Sequence, residues 1–130
     1  MDNQNKDIIK LNSGLLAALS SNTISIEVMP QEILALECIV AGTSFRNLSK
    51  VESQLKSEVK IEVKREQGNQ YDEFAVALFY ENNKIGYLPK IKNETIARLL
   101  DAGKQFYAIL VTREKEGDWL RLDIKVYLKD

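Results

Sequence analysis

The sequence contains no histidine. Its absence removes most hydrolytic triads, the usual zinc sites and the commonest general base, so only carboxylate chemistry is left for an enzyme. There is a single cysteine, Cys38, and an internal disulfide is therefore impossible. Set in the apolar run LALECIVAG, it reads as a small buried hydrophobe rather than a reactive thiol. Neither sign of charge dominates: 18 Lys+Arg stand against 19 Asp+Glu, a net charge of −1. A protein held on nucleic acid by its overall field is normally basic. Residues 34–130 carry 16 basic and 15 acidic side chains, so any contact with a polyanion must come from a local patch. No apolar run approaches the roughly 18 residues needed to span a bilayer. The N-terminus MDNQNKDIIK is charge-mixed, and GLLAAL is shorter than the roughly 7–15 residues of a signal-peptide core, which predicts a cytoplasmic protein without a membrane partner. No phosphate-binding glycine loop and no metal-ligand spacing is present, and neither cofactor, metal nor catalytic residue is expected.

What is there is enough for one domain: 130 residues, 45% of them apolar. The first 33 residues read as an appendage. LNSGLLAALSSN has the spacing of a short helix, TISIEV alternates like a strand, and Pro30 breaks the pattern. A domain over 34–130 follows. LALECIVAGTSF predicts a long first strand ending in small and polar residues. NLSKVESQL predicts a helix, with Leu48, Val51 and Leu55 on one face and Asn47 as its cap. EVKIEVKRE alternates, with Val59, Ile61 and Val63 inward; Arg65 falls on the buried parity and calls for a carboxylate partner. AVALFY is apolar at both parities, as in a strand covered on both sides. Asn82-Asn83 predicts a tight turn into KIGYLP. KNETIARLLDAGK predicts a helix capped by Asn93 and stopped at Gly103, with Glu94 and Arg98 paired at i,i+4. QFYAILVTRE and WLRLDIKVYLK form a last hairpin about KEGD, with Leu120, Leu122, Ile124, Val126 and Leu128 inward and Trp119 packing at the strand's start. Six strands and two flanking helices predict a mainly β protein, a small closed OB-like β-barrel. On pattern alone Tyr71 reads as a core aromatic, Asp72 as a turn acid, and Phe45 equally as core or pocket.

VAGTSF, then REQGNQYDEFAV, then KIGYLPKIKNETIARLLDAGK stand in this order at compatible spacing. Together they resemble the HIRAN domain, a module of SNF2-class helicases that also occurs as small stand-alone bacterial proteins. The resemblance covers about Leu34 to Leu128. It implies a six-strand barrel with two helices and non-enzymatic binding of the 3′-terminal end of single-stranded DNA, in repair, replication-fork or mobile-element processing. A helicase or nuclease is the kind of protein partner it implies. In the family it resembles, two aromatic side chains sandwich the last base and a carboxylate accepts from the terminal 3′-hydroxyl. Carried onto this chain, the rings are Phe45 and Tyr71, the carboxylate is Asp72, Asn69 contacts the nucleotide or shapes the turn, Tyr87 belongs to the site, and Lys90 meets phosphate. Ser44 and Arg46 are further phosphate candidates. The sequence departs from the family's pattern at Gln70, where proline is frequent, and at Ser44, where the helicase modules often carry arginine. The first departure predicts a less rigid loop and weaker binding. The other reading the sequence carries is a protein-interaction barrel with little DNA affinity.

Overall fold

The computed structural model describes residues 32–129, so the helix and strand expected in the N-terminal appendage lie outside the described residues. Six strands form one antiparallel sheet: β1 (Ile33–Ile39), β2 (Lys60–Arg65), β3 (Val76–Tyr80), β4 (Asn83–Tyr87), β5 (Gln105–Glu116) and β6 (Trp119–Lys129). Their spatial order is β1-β6-β5-β2-β3-β4. One α-helix, α1 (Glu94–Asp101), is present among the described residues.

The alternating sequences dictate which face is buried. Ile61 and Val63 of β2 enter the core, as do Leu120, Leu122, Ile124 and Val126 of β6. β3 is buried on both sides, with Val76, Ala77 and Leu78 all covered. The core continues through Ile85, Leu88, Phe106, Ala108 and Leu110. Cys38 is part of it, and burial pushes its thiol up to about 11, which keeps it protonated near neutral pH.

Three expectations are corrected. The sheet does not close into a barrel by a strand ladder. Beyond β1 the chain bends across to β4 and meets it at one isolated pair, Ala41 and Tyr87, which exchange two hydrogen bonds of 2.8 and 2.9 Å. The room for that crossing comes from Gly86: a Cβ there would lie 2.4 Å from the Ala41 carbonyl oxygen and 2.5 Å from Val40 Cγ1.

Secondly, NLSKVESQL is not an α-helix. Leu48, Val51 and Leu55 are buried as expected, but through turns and a short 3-10 segment, Glu52–Gln54. Asn47 Oδ1 accepts from the Ser49 backbone N–H and hydroxyl, so it caps a turn that does not continue as an α-helix. Apolar spacing of three and four residues fits consecutive tight turns as well as a helix. Thirdly, the β3–β4 turn sits one residue earlier than predicted. Tyr80 pairs with Asn83, and the positive φ angles fall on Glu81 (46°) and Asn82 (73°), while Asn83 begins β4. A two-residue hairpin of this hand needs positive φ at both central positions; Asn83 Nδ2 supports it by donating to the Tyr80 and Glu81 carbonyls.

Candidate nucleic-acid interface

Two loops and one edge strand enclose a cavity of about 930 Å³ lined by Ala41, Gly42, Phe45, Arg46, Asn69, Tyr71, Asp72, Ala75, Tyr87, Leu88 and Lys90. Six residues picked from sequence as the site (Phe45, Asn69, Tyr71, Asp72, Tyr87 and Lys90) therefore share one opening, joined by Arg46. Ser44 is exposed on the neighbouring turn and is not among the lining residues.

The first loop follows the end of β1. Gly42 adopts φ 80°, a left-handed conformation that suits a residue without Cβ, and starts a 3-10 turn over Thr43–Phe45. Thr43 is buried and its hydroxyl donates to the Leu120 carbonyl at 2.7 Å, pinning the turn to β6. With Thr43 anchored inward and Leu48 in the core, Phe45 is left pointing out, 87% exposed. It is not an ordinary core residue.

The second loop carries GNQYDEF. Arg65, at the end of β2, spreads its guanidinium beneath it. Nε donates to Asp101 Oδ1 (3.0 Å), Nη1 to the Ala75 carbonyl (2.9 Å) and Nη2 to the Glu73 carbonyl (2.9 Å). The carboxylate partner expected for Arg65 is thus Asp101. A hydrogen bond from Gln67 and then the Arg65 guanidinium hold the Asp101 carboxyl below its ordinary range. Asn69 shapes the loop from within: its Oδ1 accepts from the Tyr71 and Asp72 backbone N–H groups at 2.8 and 3.0 Å. Gln70 is therefore flanked by two bonds that brace the turn around it. Tyr71 stands out at 84% exposure rather than plugging the interior. Lys90 reaches across to it, Nζ donating to the Tyr71 carbonyl at 2.8 Å, with further ammonium protons left over.

Asp72 is half-buried and both its oxygens are engaged. Oδ1 accepts from the Phe74 N–H at 3.0 Å and Oδ2 from Asn93 Nδ2 at 2.7 Å. Each carboxylate oxygen has capacity for a second donor. Asn93 occupies the position before α1, but its side chain makes no capping bond to the helix; the predicted cap is corrected.

Sequence reading missed Glu66, the residue after Arg65. Oε1 accepts from the Tyr87 hydroxyl (2.6 Å) and Asn69 Nδ2 (2.8 Å), and Oε2 accepts from Lys84 Nζ (2.6 Å). One carboxylate so ties β4 to the second loop. Its only sequence signal is the acid after arginine in the REQGNQYD stretch. Burial alone raises the Glu66 carboxyl, but the hydrogen bonds from Lys84, Tyr87 and Asn69 outweigh it and bring it down to about 2; Lys84 is raised by the same pairing with Glu66. A carboxyl depressed in the folded state contributes stability that is complete above its unfolded value of 4.5 and is lost as pH falls toward 2. Urea titrations between pH 6 and pH 2 should show Glu66→Gln losing less stability on acidification than the unaltered protein, by about 2 kcal/mol. Parallel pH curves for the two proteins would contradict this assignment.

Fold and cavity together define a small, mainly β binding module with an open, aromatic-rimmed pocket. Residues 33–129 match the HIRAN domain, and the chain belongs to that family. Among solved structures it is similar to a protein from Lactobacillus plantarum, with TM-score 0.68 and 22% identity over 75% of this chain and 95% of that one. It is also similar to the HIRAN domain of human HLTF, with TM-score 0.58 and 18% identity over 76% and 81% of the two chains. The HLTF domain has in addition an NMR structure in its DNA-bound conformation, which aligns at TM-score 0.49 and 18% identity over 76% of this chain and 80% of that one. No curated protein sequence matches the chain.

Proposed function

We propose that the pocket binds the 3′-terminal nucleotide of single-stranded DNA, without catalysis. The observation that carries this reading is the pair of outward-standing rings, Phe45 and Tyr71, on two separate loops at one opening that Asp72 also lines. Exposed aromatic faces gain about 1–3 kcal/mol per stacked base and tolerate any base, so recognition would favour ends over sequence. Arg46 and Lys90 supply the local positive charge that the near-neutral chain lacks overall. Asp72 has acceptor capacity for a hydroxyl and none to offer a phosphate, which selects a free 3′-OH over a blocked or continuing strand. The HLTF relative, with its DNA-bound conformation, supports the same class of ligand. End recognition of this kind serves DNA repair, fork or mobile-element processing beside a helicase or nuclease partner.

Fluorescence anisotropy of labelled single strands at low salt tests the reading. Strands ending in 3′-OH should bind about tenfold more tightly than the same strands ending in 3′-phosphate, a difference expected for one hydrogen bond to a charged group. Asp72→Asn should narrow that ratio. No binding at high micromolar protein, or equal binding to both ends, would replace this reading by that of a protein-interaction domain, for which two exposed rings are equally suited.

A further inference from the structure

Resting on the 3′-end reading above, we infer that Asn93 is a positioning residue that sets end discrimination, by holding Asp72 in the orientation from which it meets the terminal sugar. Asn93 is 1% exposed, one of two buried polar residues among those described, and a buried amide is costly unless it is bonded. It does not use its side chain where its place in sequence says it should, on the first turn of α1. Only its main chain joins the helix, the Asn93 carbonyl accepting from the Ala97 N–H at 2.8 Å. The amide is spent instead on Asp72 Oδ2, 21 residues away, at 2.7 Å.

The geometry of Asp72 explains what this contact does. A carboxylate on a loop turns about its last side-chain bond unless both oxygens are held. The Phe74 N–H holds Oδ1 from within the same loop; Asn93 holds Oδ2 from the start of the helix. Both partners only donate, so they fix the carboxylate plane and leave one acceptor position on each oxygen. The Asn93 donor is itself buried. It joins the Lys90–Lys92 turn to α1 and is tied to the fully buried Ala97 through its main chain. With Asn93 gone, Asp72 keeps one tether and its free oxygen samples other directions. The rings of Phe45 and Tyr71 touch neither group in any hydrogen bond, so stacking should persist while selection for the hydroxyl is lost.

The test compares the unaltered protein with Asn93→Leu, which keeps the size and removes the donor, and Asn93→Ser, a smaller polar replacement in case leucine prevents folding. Circular dichroism establishes the fold, and anisotropy reads affinity for otherwise identical single strands ending in 3′-OH or 3′-phosphate. The expected result is a preference for the hydroxyl reduced about tenfold, with binding of the 3′-phosphate strand within about twofold of the unaltered protein. Asp72→Asn combined with Asn93→Leu should discriminate no worse than Asp72→Asn alone, because the two act through one contact. Equal loss of affinity for both ends would mark Asn93 as merely structural and overturn the inference. An undiminished preference in both variants would do the same. If the unaltered protein shows no preference, the 3′-end reading itself fails, an outcome distinct from either.

Discussion

Truncating Tyr71 to alanine is expected to lower affinity for a 3′-OH single strand by roughly tenfold to a hundredfold while leaving stability unchanged. The two halves of that expectation come from one fact. At 84% exposure the ring contributes almost nothing to the core, and substitutions at such surface positions usually move stability by no more than about 0.5 kcal/mol. Its loop is held by the Asn69 side chain and the Arg65 guanidinium, neither of which touches the ring, so the backbone should keep its course. What is removed is a stacking face. Phe45→Ala should show a similar deficit, for the same reason and from the other loop. The two loops are tied to the sheet separately, one through Thr43 and the other through Arg65, but both rings would grip one terminal base, so the double variant should lose less than the product of the two factors. Unaltered binding by Tyr71→Ala would sink the stacking argument. A drop in unfolding midpoint with normal binding would instead make Tyr71 a packing residue, against its exposure.

Gly86→Ala is expected to cost about 2–4 kcal/mol of stability. For a domain of about 100 residues each kcal/mol shifts the melting midpoint by about 4–8 °C, so calorimetry should show a fall on the order of 10 °C or more. The added methyl has nowhere to go. Its nearest neighbours are a backbone oxygen at 2.4 Å and the Val40 side chain, 2% exposed, at 2.5 Å. A main-chain atom cannot step aside as a surface lysine would, so the strand carrying Ala41 must retreat and its two hydrogen bonds to Tyr87 must lengthen or break. Those residues also line the pocket, together with Gly42 and Phe45. The same variant should therefore weaken strand binding more than its stability loss alone accounts for, measured well below its melting temperature. A melting point within 2 °C of the unaltered protein would show that the two strands do not approach as closely as described.

Periodicity carried much of the architecture. In β6 a strict alternation from Leu120 to Val126 matches a strand with one covered face, because a one-residue slip would turn every leucine to solvent. In β3 the loss of alternation marked burial on both sides. Arg65 on an inward parity pointed to a partner, and Asp101 answers it. What pattern could not supply depends on residues far apart in the chain. Whether the sheet closes depends on how near β4 lets Ala41 come, a matter of one glycine 45 residues on. Leu48, Val51 and Leu55 have a spacing shared by a helix and by successive turns, and a cap such as Asn47 suits either.

The pocket was legible through resemblance rather than through the physics of the isolated chain. Exposure cannot be read from an aromatic in a loop: pattern alone favoured the interior for Tyr71 and left Phe45 evenly between core and pocket. Asn93 looked like a cap because asparagine before an apolar stripe usually is one; its true partner lies across the fold. Glu66 gave no more than an acid after arginine, since the three donors that converge on it come from positions 69, 84 and 87.

The loop bearing Tyr71 and Asp72 is braced from within the chain. Its carbonyls at Glu73 and Ala75 are taken by Arg65 and its amides at 71 and 72 by Asn69. On the 3′-end reading proposed above, a segment so braced would meet a strand end as a docking of rigid shapes. Capture should then proceed in a single kinetic phase whose rate rises linearly with strand concentration, without the plateau that a slow rearrangement imposes.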